Sequence, residues 1–107
     1  MQEKVKEFNK SKKCHKTPVP TYARLLDIQS ELGELAKEYL ANSKYGTSEF
    51  FLSDDFKMEF GDVMYSILSL ANELNISAEE CLDMAIIKYK KRIAKRNCMS
   101  SKNSNIQ

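Results

Sequence analysis

The sequence predicts an all-α fold, a bundle of one short N-terminal helix and three longer helices. Apolar residues recur at spacings of three and four over long segments, as they do on one face of an α-helix. β-branched residues are few and never alternate for long, so strands are not indicated. The chain has only three glycines and two prolines, and the prolines lie together, which suits helices joined by short loops.

The first helix is predicted over "QEKVKEFNKSKK", with Val5 and Phe8 facing inward. The prolines of "CHKTPVP" then interrupt the chain, because proline cannot continue a helix interior. A long second helix is predicted over about residues 21–42. Its apolar stripe follows a period of 3.6 residues and consists of Leu25, Ile28, Leu32, Leu35, Ala36 and Tyr39.

The third helix is predicted to begin after the loop "SKYGTSEFFLS". Ser53 is a suitable N-cap, and Asp54 and Asp55 suit the positive end of the helix dipole. The helix should end near Asn75. Its inward residues are Phe56, Phe60, Val63, Ile67, Leu70, Ala71 and Leu74.

The last helix is predicted to begin at "SAEE", residues 77–80, which has the pattern of a capping box. Its apolar face consists of Ala78, Leu82, Ala85, Ile86, Tyr89 and Ile93. The remaining stretch is polar and has no helical period. We therefore expect one helical domain over residues 1–97 and a disordered tail over residues 98–107.

Composition limits the setting in which the protein works. A chain of 107 residues predicts one domain, and a net charge of +2 does not indicate a nucleic-acid binder. The polar N-terminus and the lack of long apolar runs predict neither a signal peptide nor a membrane span. Three cysteines without a CxxC pair suggest reduced thiols in a cytoplasmic protein. Cys14 and His15 have no second pair of ligands, so zinc is not favoured.

Acidic residues gather along one edge of the apolar stripe on both long helices. On the second helix an arc of about 60° contains Asp27, Glu31, Glu34 and Glu38. On the third helix a similar arc of about 60° contains Asp55, Glu59 and Asp62. If the two apolar stripes pack together, these acids face one another and repel unless protons or cations intervene. Hard divalent cations prefer such oxygen ligands.

Spacing alone leaves another interpretation open. Acidic edges are commonly solvated, and in a lysine-rich chain they can simply pair with lysines. A di-iron carboxylate site is a competing metal interpretation, but it needs a Glu-x-x-His motif. The only histidine, His15, lies outside both acidic arcs, so the pattern favours Mg²⁺ or Mn²⁺ over iron.

Two motifs carry a resemblance to a known family. "SELGELAKE" supplies E-x-x-E, and "MEFGD" supplies E-x-x-D after a spacer of 24 residues between Glu34 and Glu59. In this order they resemble the MazG-like all-α nucleoside triphosphate pyrophosphohydrolases, and the resemblance covers most of the chain. It implies a Mg²⁺-dependent enzyme that cleaves nucleoside triphosphates between the α- and β-phosphates, releasing a monophosphate and pyrophosphate.

The resemblance also implies roles for particular residues. The Mg²⁺ ligands would be Glu31, Glu34, Glu59 and Asp62. A carboxylate that the metal does not fully use can accept a proton from water, and Glu34 or Glu38 is the candidate for that catalytic role. The glycine inside each motif, Gly33 and Gly61, is expected to let the two helices approach closely.

The chain departs from the family pattern at several positions. Ser30 stands where many members have a glutamate. A lysine and an asparagine that often bind nucleotide on the last helix correspond to Lys88 and Arg92, and Arg92 or the neighbouring Lys91 can still reach a phosphate. The base-stacking tryptophan of cytosine-specific members is missing. Cys14 or His15 occupies that region, which makes His15 a candidate base-binding residue and leaves the base undetermined.

The basic segment "KYKKRIAKR" holds six cations and allows several interpretations. Cations near a helix C-terminus suit the dipole, and they also suit a wall that binds a triphosphate. The alternative function is a non-catalytic helical module that binds nucleic acid or a protein through this helix, although no recognised nucleic-acid motif accompanies it. Apolar residues off the main stripe of the third helix predict a homodimer or homotetramer: Met58, Met64, Tyr65 and Leu68.

Overall fold

Four helices make up the described part of the chain, and it contains no strands. This computed structural model describes residues 1–12 and 19–104, with side chains up to residue 98. The helices are α1 (Gln2–Ser11), α2 (Thr21–Asn42), α3 (Asp54–Glu73) and α4 (Ala78–Ser104). The all-α fold predicted from the sequence is therefore confirmed. Among the described residues, no helix is long and apolar enough to cross a membrane.

The chain forms two compact units. The first, Met1–Ile76, contains α1, α2 and α3, and the second, Ser77–Gln107, contains α4. In the second unit the Ser77 hydroxyl accepts a hydrogen bond from the Glu80 amide at 3.1 Å, so the predicted cap is present. The helix then continues to Ser104, beyond the start of the predicted tail. The division into a domain of residues 1–97 and a disordered tail stays a prediction.

The side chain of Ser53 fixes the connection between α2 and α3. The Ser53 hydroxyl accepts from the Phe56 amide at 3.1 Å, which confirms it as the N-cap of α3. The same oxygen accepts from the side-chain amide of Asn42 at 2.7 Å, so the end of α2 is tied to the start of α3. Gly46 adopts a positive φ of 84° in the turn between them, a conformation that glycine adopts without steric cost.

Helices α2 and α3 contact each other through an edge of the α2 apolar stripe. The half-buried residues of α2 that share one face are Arg24, Ile28, Glu31, Leu35, Glu38 and Asn42. By contrast, Leu25 is 53% exposed, Leu32 54% and Tyr39 46%. The prediction that the whole stripe faces inward is therefore wrong for these three residues and for Ala36, which is also exposed. The helix is rotated so that two acids, Glu31 and Glu38, lie on its half-buried face.

The short helix α1 packs on α3 with few apolar contacts and several hydrogen bonds. Val5 is buried as predicted, whereas Phe8 is 53% exposed and contacts the ring of Tyr65 edge-on, with centroids 6.0 Å apart. The Asn9 amide donates to the Ser69 hydroxyl at 3.1 Å and accepts from the Tyr65 hydroxyl. Polar pairing therefore fixes the position of α1 on α3.

The two motif glycines do not serve a close contact between α2 and α3. A Cβ atom added at Gly33 or at Gly61 would meet no described atom within 4 Å. The expectation that they let the two helices approach is therefore wrong. Each glycine instead leaves an open position on the outside of its helix.

Replacing either glycine should stabilise the protein. Because the added methyl group of Gly33→Ala or Gly61→Ala meets open space, the free energy of unfolding should rise by up to about 1 kcal/mol from helix propensity alone. Urea denaturation measures the change, and the reverse substitution Ala36→Gly on α2 should lower stability by a similar amount. Destabilisation by either alanine would contradict the open geometry.

Candidate metal centre

Acidic side chains of α2 and α3 meet near the middle of the helix pair. One carboxylate oxygen from each of Glu31, Glu59 and Asp62 lies within 4.8 Å of the other two. Glu31 and Glu59 are half-buried, while Asp62 is exposed. Glu59 and Asp62 are three residues apart on α3, a spacing that places them on one face of the helix. The sequence pattern had predicted this meeting of the two acidic edges.

The pKa of Glu59 responds to both its burial and its acidic neighbours. The pKa of this carboxyl is raised above the usual 4.5, first because burial penalises its charge and then because other carboxylates surround it. The nearby charges, in decreasing order of effect, are Asp62, Glu31, Glu34 and Glu38. Five acids therefore share one region, and burial and neighbouring charge both disfavour the ionisation of Glu59.

Two further acids with predicted roles, Glu34 and Glu38, act on this cluster. Glu34 is exposed and Glu38 half-buried, and both act on the charge of Glu59 from α2. Neither supplies an oxygen to the three-carboxylate group. The metal-binding role of Glu34 and the catalytic role of Glu34 or Glu38 stay predictions.

No cation of the described residues neutralises the cluster. The ion pairs within 4.0 Å in this part of the protein are Arg24–Glu73 and Lys57–Asp54, and neither includes a cluster acid. The sequence left open that these acids pair with lysines. The described side chains do not show that pairing. The repulsion between these acids can be reduced by protons, water or an external cation.

The donor set fits a hard divalent cation. All three ligands are carboxylate oxygens, and the described group contains no thiol or imidazole, the ligands typical of zinc. With ligands at 2.0–2.1 Å, opposite oxygens of an octahedral Mg²⁺ lie roughly 4.2 Å apart, close to the 4.8 Å limit of the cluster. The exposed position of Asp62 leaves room for water or a phosphate oxygen.

Other predicted site residues lie elsewhere in the chain. Lys88, Lys91 and Arg92 are exposed on α4. The amine of Lys88 lies 5.0 Å from the ring centroid of Tyr89, and the Arg92 guanidinium carbon lies 5.9 Å from it. Their phosphate-binding role stays a prediction. His15 and Cys14 lie outside the described residues.

An ion pair on the same face of α2 as Glu31 was missed by the sequence analysis. Arg24 donates from Nε to a carboxylate oxygen of Glu73 at 2.7 Å, and this hydrogen bond is the main reason that the pKa of Arg24 is raised. Arg24 stands seven residues before Glu31, and Glu38 seven residues after it, so all three share one face of α2. The seven-residue spacing is the sequence feature that could have placed Arg24 on this face of α2.

Removing the charge of Glu59 should stabilise the metal-free protein at neutral pH. The folded-state pKa is raised, so ionisation of Glu59 opposes folding above that pKa. In EDTA, Glu59→Gln should therefore raise the Tm at pH 7. The gain should vanish as the pH falls below about 4.5, where Glu59 is increasingly protonated in both states. Circular dichroism melting across this range measures it.

The matched control is Glu7→Gln on α1, because it removes the same charge outside the cluster. It should not reproduce the pH-dependent gain. A Tm of Glu59→Gln that is lower than that of the wild type at pH 7, or a gain that does not change with pH, would contradict the repulsion.

Known proteins resemble the chain in sequence and in fold. No protein-family profile matches the chain. Over 79 residues the chain is 39% identical to the uncharacterized protein YpjD of Bacillus subtilis (strain 168), covering 71% of this chain and 67% of YpjD. The crystal structure of Bacillus subtilis YpjD, described as a candidate pyrophosphatase, superposes with a TM-score of 0.68 and 31% identity over 85% of this chain and 84% of that one. The MazG-like assignment stays a prediction, but the chain belongs to the family of YpjD.

Proposed function

We propose that the protein is a Mg²⁺-dependent nucleoside triphosphate pyrophosphohydrolase, with Mn²⁺ as a possible substitute. The observation that carries the proposal is the group of three carboxylate oxygens within 4.8 Å, contributed by Glu31, Glu59 and Asp62. The description of its relative YpjD as a candidate pyrophosphatase supports the same reaction class. The resemblance to MazG-like enzymes that the E-x-x-E and E-x-x-D motifs carry supports a nucleotide as substrate.

The carboxylates would divide the work between holding a cation and moving a proton. Glu31, Glu59 and Asp62 would hold Mg²⁺, with Glu34 as a fourth ligand. When bound, the ion would neutralise charge on phosphate oxygens and help to form a nucleophile from water. A bound cation would also oppose the burial and the neighbouring negative charges that raise the pKa of Glu59.

Hydrolysis then needs a base for the attacking water. The water oxygen forms a bond to the α-phosphorus, and the bond from the α-phosphorus to the bridging oxygen breaks. Pyrophosphate leaves with the bonding electron pair, and a carboxylate receives the proton of the water. Glu34 or Glu38 is proposed for this step, because both lie close enough to act on the charge of Glu59 without belonging to the three-oxygen group.

The rest of the substrate would be bound by residues that the sequence singled out. Lys88, Lys91 and Arg92 are proposed to bind the phosphates, since exposed ammonium and guanidinium groups suit phosphate oxygens. His15 is proposed to contact the base. The biological role that fits this activity is removal of surplus or non-standard (deoxy)nucleotides in the cytoplasm.

The reaction can be tested with a panel of nucleotides. Purified protein with Mg²⁺ should release pyrophosphate from at least one (deoxy)nucleoside triphosphate, and EDTA should abolish the release. Glu31→Gln, Glu59→Gln and Asp62→Asn should each lower kcat/KM by roughly 100-fold or more, the scale of losing a group that stabilises transition-state charge. The control Glu49→Gln removes an exposed acid in the loop before α3 and should leave kcat/KM unchanged.

Two results would overturn this proposal. Full activity in Glu59→Gln or Asp62→Asn would remove the cluster from the chemistry. If no nucleotide of the panel gave metal-dependent pyrophosphate release, the non-catalytic module with its exposed basic residues on α4 would become the better account.

A homo-oligomer is also proposed, either a dimer or a tetramer. The buried apolar residues of the described chain are few, namely Val5, Leu68 and Ala71. Leu26, on α2, remains 60% exposed, as do other apolar residues of that helix to a similar extent. A second copy would remove this apolar surface from water.

Sedimentation equilibrium at micromolar concentration should give a mass of two or four chains. Leu26→Lys should shift the equilibrium toward the single chain, because it places a charge within the exposed apolar surface. The control Lys4→Gln changes an exposed residue on α1 and should not do so. A wild-type protein that sediments as a monomer would contradict the assembly.

A further inference from the structure

A polar depression lies in the first unit, and none of the residues that line it belongs to the three-carboxylate group. Its volume is about 300 Å³, and it opens to solvent between α1, α2 and α3. Its lining is rich in basic and polar side chains: Lys6, Lys10, Arg24, Ser69, Asn72 and Glu73. We refer to these residues as the basic pocket. A volume near 300 Å³ is at the lower end of small-ligand sites.

The basic pocket carries uncompensated positive charge. Lys6 and Lys10 are four residues apart on α1, a spacing at which like charges face each other and repel. In the described part of the chain, neither amine has a carboxylate oxygen within 4.0 Å. Arg24 adds a third cation, and the pocket has a single acid, Glu73. An anion in the pocket would relieve the repulsion.

The only acid of the pocket orients the arginine. Glu73 accepts from Nε of Arg24 at 2.7 Å, and both side chains are largely shielded from solvent, 20% and 28% exposed. This bond uses one of the five N–H donors of the guanidinium and holds the group in place. Glu73 therefore serves as a positioning residue, and the other donors of Arg24 remain for a ligand.

The floor of the pocket is also fixed. The Ser69 side chain is 1% exposed, and its hydroxyl oxygen accepts from the Asn9 amide at 3.1 Å. The Asn72 amide donates to the backbone oxygen of Gln2 at 3.2 Å. These bonds tie α1 to α3, so the amines of Lys6 and Lys10 project from a backbone that is held against the rest of the pocket.

We propose that the basic pocket binds an oxyanion of the phosphate class. Two ammonium groups and an oriented guanidinium match the oxygens of a phosphate, and guanidinium can contact two of them at once. The anion is either free phosphate or pyrophosphate, or one phosphate group of a nucleotide. Arg24 and Glu31 are seven residues apart on α2, so the pocket begins roughly 10 Å along the helix from the carboxylates.

The test is direct binding in EDTA, so that it does not depend on hydrolysis or on a metal. Isothermal titration of the full chain with inorganic phosphate and with pyrophosphate should show saturable binding. The double substitution Lys6→Gln/Lys10→Gln should weaken it by about tenfold or more, as expected for losing charge-assisted hydrogen bonds. Arg24→Lys keeps the charge but loses the fork geometry and should also weaken it.

The matched control is Lys4→Gln/Lys37→Gln, which removes two charges from exposed positions outside the pocket. Its affinity should stay within about twofold of the wild type. Equal weakening in both double variants, or no saturable binding by the wild type, would overturn the proposal. Circular dichroism of each variant checks that the helices are intact.

A nucleoside triphosphate and its unphosphorylated nucleoside, titrated in the same buffer, identify the source of the anion. If the triphosphate binds more tightly than phosphate and loses affinity in Lys6→Gln/Lys10→Gln, the pocket receives a phosphate group of the nucleotide. If phosphate and pyrophosphate alone depend on the two lysines, the ligand is the free anion. Binding of the nucleoside that equals that of the triphosphate would contradict an oxyanion site.

Discussion

Repulsion between carboxylates at the contact of α2 and α3 is the constraint on which the rest of the structure depends. Glu31, Glu59 and Asp62 place three oxygens within 4.8 Å, and no cation of the described residues compensates them. Burial first, and then the neighbouring carboxylates, raise the pKa of Glu59. A helix pair built only for stability would separate such groups, since like charges at close range oppose folding. We propose that a divalent cation compensates this repulsion and makes the cluster a binding site.

The acids stay together because polar contacts hold both ends of the helix pair. At one end the Asn42 amide donates to Ser53, and at the other Arg24 donates to Glu73. These two contacts make α2 and α3 antiparallel and fix their register, so that Glu31 must lie opposite the acids of α3. The contacts at the two ends stabilise the helix pair and so offset the repulsion between the acids at its middle.

Much of this arrangement was predictable from local patterns. The α2 bounds, the Ser53 cap and the meeting of Glu31 with Glu59 follow from helical spacing and capping chemistry. A helical wheel gives faces but not partners, so it did not show which edge of the α2 stripe contacts α3. The exposed Leu32 and the missed Arg24–Glu73 pair both follow from that rotation. The glycines were misread for the same reason, because their motif says nothing about the space around them.

The central claim is that the three-carboxylate cluster binds a divalent cation. Titration of the protein with Mn²⁺, followed by the electron paramagnetic resonance signal of the free ion, tests this without any substrate. The account predicts saturable loss of the free Mn²⁺ signal in the wild type, competition by Mg²⁺, and much weaker binding in Glu59→Gln than in Glu49→Gln. Mn²⁺ binding that is equal in both variants, or absent in the wild type, would contradict it.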